Sequence, residues 1–152
     1  MHDAFVVLVV LHVVSALVGF GAIALSGVYG TTAGRLDKAG AVAEARRFFS
    51  TPNRAALATL AVPFFAVAAL LAGGHRSDFG DAWVGAALVV WLLVAGVFTA
   101  VVRPSERLLA QLLQAEQPDA GTVGPVARRL SRAAATCDVA FVVALGLMIW
   151  QP

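Results

Sequence analysis

One histidine lies inside an otherwise apolar stretch of this chain, and its imidazole can do chemistry. His12 is the only histidine within the four long apolar runs, and Ser15, Gly19 and Ser26 follow it on one broad helical face. A neutral imidazole can ligate haem iron, copper or another metal, or relay protons. It can equally satisfy a hydrogen bond between two helices. Since small residues let a partner backbone approach closely, we expect this face to point towards the other helices.

Asp138 is the only carboxylate clearly inside an apolar run. Burying it as a charge is costly unless a partner or a proton neutralises it. The polar side chains at a comparable depth are the bases Arg54, Arg103 and Arg132 and the hydroxyls Ser26, Thr59, Thr99 and Thr136. Two interpretations stay open: a small polar cavity around Asp138 that opens to the cytoplasm, or a structural clasp between Asp138 and an arginine.

Aromatic residues mark the ends of several runs. Trp83 and Trp150 lie at outer ends and Tyr29 at an inner end, which predicts anchors at the membrane interface. Trp91 lies mid-run instead, at a depth similar to that of His12. Its indole can contact His12, or it can simply pack or face lipid.

Signatures of soluble enzymes are missing from the sequence. It contains no P-loop, no GxSxG, no HExxH and no CxxC motif. The basic loops also lack the interleaved aromatic residues that are typical of nucleic-acid binding. The sequence therefore favours a non-enzymatic protein that does not bind nucleic acid.

Four apolar runs must position these groups. They extend over Ala4–Tyr29, Ala55–Ala72, Ala82–Val102 and Ala133–Trp150. Each is close to or longer than the roughly 20 residues that a helix needs to cross about 30 Å of hydrocarbon. With 60% hydrophobic and 13% charged residues, the chain is far more apolar than a soluble domain. We predict an all-α, four-helix transmembrane bundle that forms one integral membrane domain over residues 1–152.

The positive charge predicts the orientation of this bundle. Loop one holds five bases and loop three another five, whereas loop two holds Arg76 alone and the tails hold no Lys or Arg. By the positive-inside rule, loops one and three are cytoplasmic and both termini lie outside. The expected location is a bacterial inner (plasma) membrane.

The segments that connect the runs carry further expectations. Gly34 is expected to loosen the chain after helix one, and Leu36–Phe49 has the spacing of a short amphipathic helix. This segment either lies on the inner leaflet or extends helix one or two. Pro63 should free the carbonyl of Thr59 in helix two. Helix three should continue past Pro104.

The chain resembles a family of small bacterial four-helix integral membrane proteins, domain of unknown function 2269. The resemblance rests on Leu11-His12 followed by Gly19 and Gly21, on basic stretches before the second and fourth helices, and on the ending from Asp138 to Leu147-Met148-Ile149-Trp150-Gln151-Pro152. More distantly, it is similar to copper-resistance-type and protoporphyrinogen-oxidase-type membrane proteins. In those proteins an early-helix histidine is associated with metal or haem. The resemblance therefore implies such a role for His12, the only residue of that pattern present in this chain.

Three functions remain open on this basis. The first is a non-enzymatic binding or accessory subunit in the bilayer, as a homo-oligomer or within a larger membrane complex. A haem- or metal-binding redox protein that uses His12 is the second. The third is a small transporter or channel around Asp138.

Overall fold

Most of the described residues are helical. The structure is a computed structural model, and it describes residues 2–74, 79–115 and 121–150. The α-helices are α1 (His2–Lys38), α2 (Val42–Ala45), α3 (Val62–Ala72), α4 (Ala82–Val97), α5 (Arg103–Gln114) and α6 (Val123–Trp150). In addition, 3₁₀ turns cover Arg46–Phe49 and Ala55–Ala61, and a π-helical segment, Phe98–Val102, joins α4 to α5.

Four helical stretches are long and apolar enough to cross a membrane. They are Asp3–Lys38, Ala55–Ala72, Ala82–Gln114 and Val123–Trp150. The all-α prediction with four spans is therefore confirmed. Helix three also continues past Pro104 as expected, although the wider π turn before it was not predicted.

Residue contacts divide the chain into two compact units. The first unit comprises Met1–Ala22, Arg54–Ala95 and Val139–Pro152, and the second comprises Ile23–Asn53 and Gly96–Asp138. Within the first unit, the rings of Phe20 and Phe141 stack at 4.4 Å between centroids. The second unit has the larger share of fully buried side chains, among them Ile23, Phe98, Leu109, Leu113 and Leu130.

The end of α1 differs from the sequence-based expectation. The helix does not loosen at Gly34 but continues to Lys38, and Gly40 then breaks it with a φ of +72°. Gly34 is a contact residue instead, because a Cβ on it would lie 3.5 Å from the Cβ of Ala127. The Leu36–Phe49 segment therefore combines the last turn of α1 with α2 and a 3₁₀ turn.

Candidate functional site

His12 is held by a backbone carbonyl of the first unit. Its Nδ1 lies 2.9 Å from the carbonyl oxygen of Val62. A carbonyl can only accept, so Nδ1 carries the proton and donates it. In the neutral ring, Nε2 then keeps its lone pair and remains able to bind a ligand. No group of three or more His, Cys, Asp or Glu side chains that could hold a metal ion occurs among the described residues.

Thr59 and Trp91 form a second polar contact in the same unit. The indole Nε1 of Trp91 donates to the carbonyl oxygen of Thr59 at 2.9 Å. Pro63 has no N–H to donate to this carbonyl four residues earlier, but the carbonyl is not freed as expected, because the N–H of Val62 donates to it in a 3₁₀ bond. The indole is a second donor, from another helix. The side-chain Oγ1 of Thr59 is buried, with no hydrogen-bond partner among the described residues. Trp91 therefore bonds to the helix backbone at Thr59.

Gly19 explains how tightly Thr59 is enclosed. A Cβ on Gly19 would overlap both the backbone nitrogen and the Oγ1 of Thr59, and would lie 2.8 Å from its Cα. The α1 backbone thus packs directly against the 3₁₀ segment. Arg54, at the start of that segment, is exposed.

Ser26 belongs to a polar cluster inside the second unit. Nδ2 of Asn53 donates to Oγ of Ser26 at 2.8 Å, and the carboxylate of Glu106 accepts hydrogen bonds from both side chains. Ser26 is 3% exposed, whereas Asn53 and Glu106 are half-buried. Arg103 lies one helical turn before Glu106 and attracts its charge. Ser26 was predicted from the sequence, whereas Asn53 and Glu106 were not. The one available signal was that Glu106 is the only acid in amphipathic α5.

Asp138 and Thr99 also lie in the second unit, but outside this cluster. The Oγ1 of Thr99 is exposed and bonds to the carbonyl oxygen of Gly96 at 3.3 Å. Asp138 is half-buried, and within the described part of that unit no ion pair joins it to Arg103 or Arg132. The cavity and the clasp around Asp138 both stay predictions.

The three expected anchors have different surroundings. Trp150 is 80% exposed at the end of α6, while Trp83 is half-buried in the first turn of α4. The ring of Tyr29 lies 5.0 Å from that of Phe48 and 6.5 Å from that of Phe49. Tyr29 therefore also fastens the 3₁₀ turn Arg46–Phe49 to α1.

A basic cavity lies between α1 and α6 in the second unit. It has a volume of about 250 Å³. Its lining residues are Gly30, Thr31, Gly34, Arg35, Lys38, Gly124, Ala127, Arg128, Ser131 and Arg132. Four of these carry a positive charge and none carries a negative one. We name this feature the basic cavity.

Small residues bring the two helices together beneath this cavity. A Cβ on Gly27 would lie 2.7 Å from the Cβ of Ala134, and a Cβ on Gly30 would lie 2.9 Å from Oγ of Ser131. Together with the contact of Gly34 with Ala127, this gives an antiparallel seam of closely packed backbones. The sequence offered a signal in the spacing of Gly27, Gly30 and Gly34, but their partner helix lies about a hundred residues away.

Two hydroxyl groups complete the lining. Oγ of Ser131 donates within its own helix to the carbonyl of Ala127 at 2.9 Å and reaches that of Gly27 at 3.1 Å. Oγ1 of Thr31 lies 3.1 Å from Oγ of Ser131 and donates to the same Gly27 carbonyl at 3.0 Å. These hydroxyls are small, polar and fixed in place by both helices.

The bases of the cavity lack acidic partners. In the part of the chain that the structure describes, no carboxylate forms an ion pair with Arg35, Lys38, Arg128 or Arg132. Asp37 is the nearest acid: its Oδ2 and the Nη1 of Arg128 lie 3.1 and 3.5 Å from the point where a Cβ on Gly124 would stand, so this carboxylate neighbours Arg128 at the edge of the cavity. The basic cavity therefore presents excess positive charge.

A comparison with known protein families gives the affiliation of the chain. The model of a family described as "Predicted integral membrane protein (DUF2269)" matches residues 6–152. The chain belongs to this family. No curated protein and no solved structure gives a significant match. Membership in DUF2269 agrees with the four membrane-spanning stretches, so the chain is an integral membrane protein in contact with the lipid bilayer.

Proposed function

We propose that this DUF2269 protein is a non-enzymatic membrane protein that binds an anion in the basic cavity. One observation carries the proposal: four cationic side chains line a cavity of about 250 Å³ that contains no carboxylate. All four side chains are exposed, so water and salt screen their mutual repulsion. An anion placed among them would still be attracted by several cations at once.

The chemistry of the lining favours an oxyanion with several acceptor oxygens. Arg35, Arg128 and Arg132 have planar guanidinium groups that bind phosphate or carboxylate in a bidentate manner. Lys38 adds a point charge. The hydroxyls of Thr31 and Ser131 lie at the same cavity, but their protons are donated to the carbonyls of Gly27 and Ala127, so the four basic side chains supply the donors for the anion. A phosphate group fits this set of donors best.

The proposed location of the cavity is the cytoplasmic side of a bacterial inner membrane. Its residues lie at the end of α1 and the start of α6, next to the two basic loops. Loops rich in Lys and Arg remain in the cytoplasm during insertion, which supports this orientation. A homo-oligomer or a larger membrane complex stays a prediction from the sequence.

Anion binding to detergent-purified protein tests the proposal. Isothermal titration with inorganic phosphate at low ionic strength should give saturable binding, and the double variant Arg35→Gln/Arg128→Gln should weaken it at least tenfold. Arg129→Gln is the matched control, since Arg129 is exposed on the same helix but does not line the cavity. Absence of saturable binding, or equal weakening by Arg129→Gln, would overturn the proposal. Circular dichroism and size exclusion verify that each variant is folded.

A second candidate function is haem or metal binding through His12. The contact between Nδ1 and the Val62 carbonyl favours it, because such a bond orients the ring and leaves Nε2 free to coordinate. Titration of the purified protein with haemin should then give a Soret shift that His12→Ala removes. A spectrum identical for both proteins, together with a metal analysis at background level, would reject this function.

A further inference from the structure

The basic cavity opens beside an apolar surface of its own helix α1. Val28 is 59% exposed and Leu25 is 46% exposed. Arg35 follows Val28 by seven residues, two helical turns, so the two side chains lie on the same face of α1. At 1.5 Å per residue, they are about 10 Å apart along the helix axis.

The partner helix repeats this arrangement. On α6, Arg128 and Arg132 line the basic cavity, and Ala135, three residues after Arg132, is exposed. Both helices thus change from basic to apolar in the same direction, away from the loops and into stretches that are apolar enough to cross a membrane. A ligand that spans both surfaces needs an anionic group joined to a hydrocarbon chain.

Resting on the proposed function, we infer that the anion is the phosphate of an anionic membrane phospholipid. Its phosphate lies among Arg35, Lys38, Arg128 and Arg132, and its acyl chains lie along Val28 and Leu25. Basic pockets between transmembrane helices on the cytoplasmic side are suited to such head groups.

The charge of the lining selects among head groups. A zwitterionic phospholipid would bring its ammonium group to a cavity lined by four cations, with Asp37 at its edge as the one nearby carboxylate among the described residues that these contacts show. A head group such as glycerol carries no positive charge, so its phosphate gains the attraction without this repulsion. The cavity therefore favours phosphatidylglycerol over phosphatidylcholine.

Native mass spectrometry tests the inference on full-length protein released from nanodiscs of equimolar phosphatidylglycerol and phosphatidylcholine. We expect retained phosphatidylglycerol in at least tenfold excess over phosphatidylcholine. Arg35→Gln/Arg128→Gln should abolish the excess, whereas Arg129→Gln should preserve it.

The outcomes separate the two proposals. Saturable phosphate binding in detergent without selective lipid retention would overturn the lipid inference and leave anion binding in place. Equal retention of both lipids, or an excess that survives in Arg35→Gln/Arg128→Gln, would also overturn the inference. If the wild-type protein shows neither phosphate binding nor lipid selectivity, the proposed function itself is rejected. Size exclusion and circular dichroism of the double variant distinguish loss of binding from loss of fold.

Discussion

Gly30 of α1 and Ser131 of α6 pack so closely that a Cβ on the glycine would lie 2.9 Å from the serine Oγ. Both residues also line the basic cavity. The contact that joins the two helices is therefore part of the wall that would face a bound anion. Any larger residue at position 30 must both separate the helices and displace a hydroxyl of the cavity.

The seam makes a prediction about the neighbouring glycines, because their clearances differ. A Cβ on Gly27 would lie 2.7 Å from the Cβ of Ala134, whereas a Cβ on Gly34 would lie 3.5 Å from that of Ala127. Gly27→Ala should destabilise the protein by about 1–3 kcal/mol through overpacking. Gly34→Ala makes an ordinary contact and should be neutral or stabilising, since alanine favours helix by up to about 1 kcal/mol. Thermal unfolding in detergent measures the stability of both variants. Equal unfolding midpoints for Gly27→Ala and Gly34→Ala would contradict the close packing at the seam.

These glycines also show what the sequence could and could not predict about the fold. The length of the apolar runs predicted four spans, because crossing a bilayer imposes a length on each helix. Gly34 was expected to loosen the chain, because glycine disfavours helix when nothing packs against it. Whether a glycine loosens or packs depends on its partner, and Ala127 lies too far along the chain to be assigned from one sequence.

The same limit applies to the candidate site. His12 and Ser26 could be selected because a polar residue in an apolar run stands out. Glu106 gave only a weak signal, because it lies among Arg103, Arg107 and two glutamines, where a charged side chain is expected to face solvent. The basic residues themselves were visible, but their convergence on one cavity depends on α1 and α6 being neighbours in space.

The bond between Trp91 and Thr59 predicts that the stability cost of Trp91→Phe depends on the residue at position 63. Trp91→Phe keeps the ring but removes the donor to the Thr59 carbonyl, at a cost of about 1 kcal/mol. The carbonyl also accepts from the Val62 N–H. In a Pro63→Ala background a further backbone N–H can compete with the indole for it, so the same substitution should cost less. A double-mutant cycle on thermal unfolding measures the difference. Equal costs in both backgrounds would show that the indole does not substitute for the missing N–H.

The Glu106 cluster predicts that the hydrogen bonds accepted by this side chain stabilise the protein more than its negative charge does. Glu106→Leu leaves the donors of Ser26 and Asn53 without their acceptor, which should cost about 1–3 kcal/mol. Glu106→Gln retains one acceptor oxygen and should cost less. Adding Asn53→Leu to Glu106→Leu should recover part of the loss, because one stranded donor is then removed. Thermal unfolding of the wild type, the two Glu106 variants, Asn53→Leu alone and the double variant checks this order. A double variant that is worse by the sum of its parts would refute it.

Arg46 predicts a local effect at the end of α5. Its Nε donates to the carbonyl of Leu113 at 2.5 Å, and its terminal nitrogen donates to that of Ala115 at 2.9 Å. The last carbonyls of a helix lack partners within the helix, so one guanidinium satisfies two acceptors there. Arg46→Met keeps the aliphatic stem and removes both bonds. Because Arg46 is exposed, we expect a modest cost of about 1 kcal/mol.

Hydrogen–deuterium exchange locates this effect better than a global melting temperature. In Arg46→Met, peptides that cover the last turn of α5 should exchange faster than in the wild type, while α1 peptides should not change. Arg46→Lys should fall between the two, since an ammonium lacks the planar fork that reaches both carbonyls. Arg129→Met is the matched control, because Arg129 is an exposed arginine with no bond to α5 among the described residues. Equal exchange in Arg46→Met and Arg129→Met would mean that the arginine does not hold the helix end.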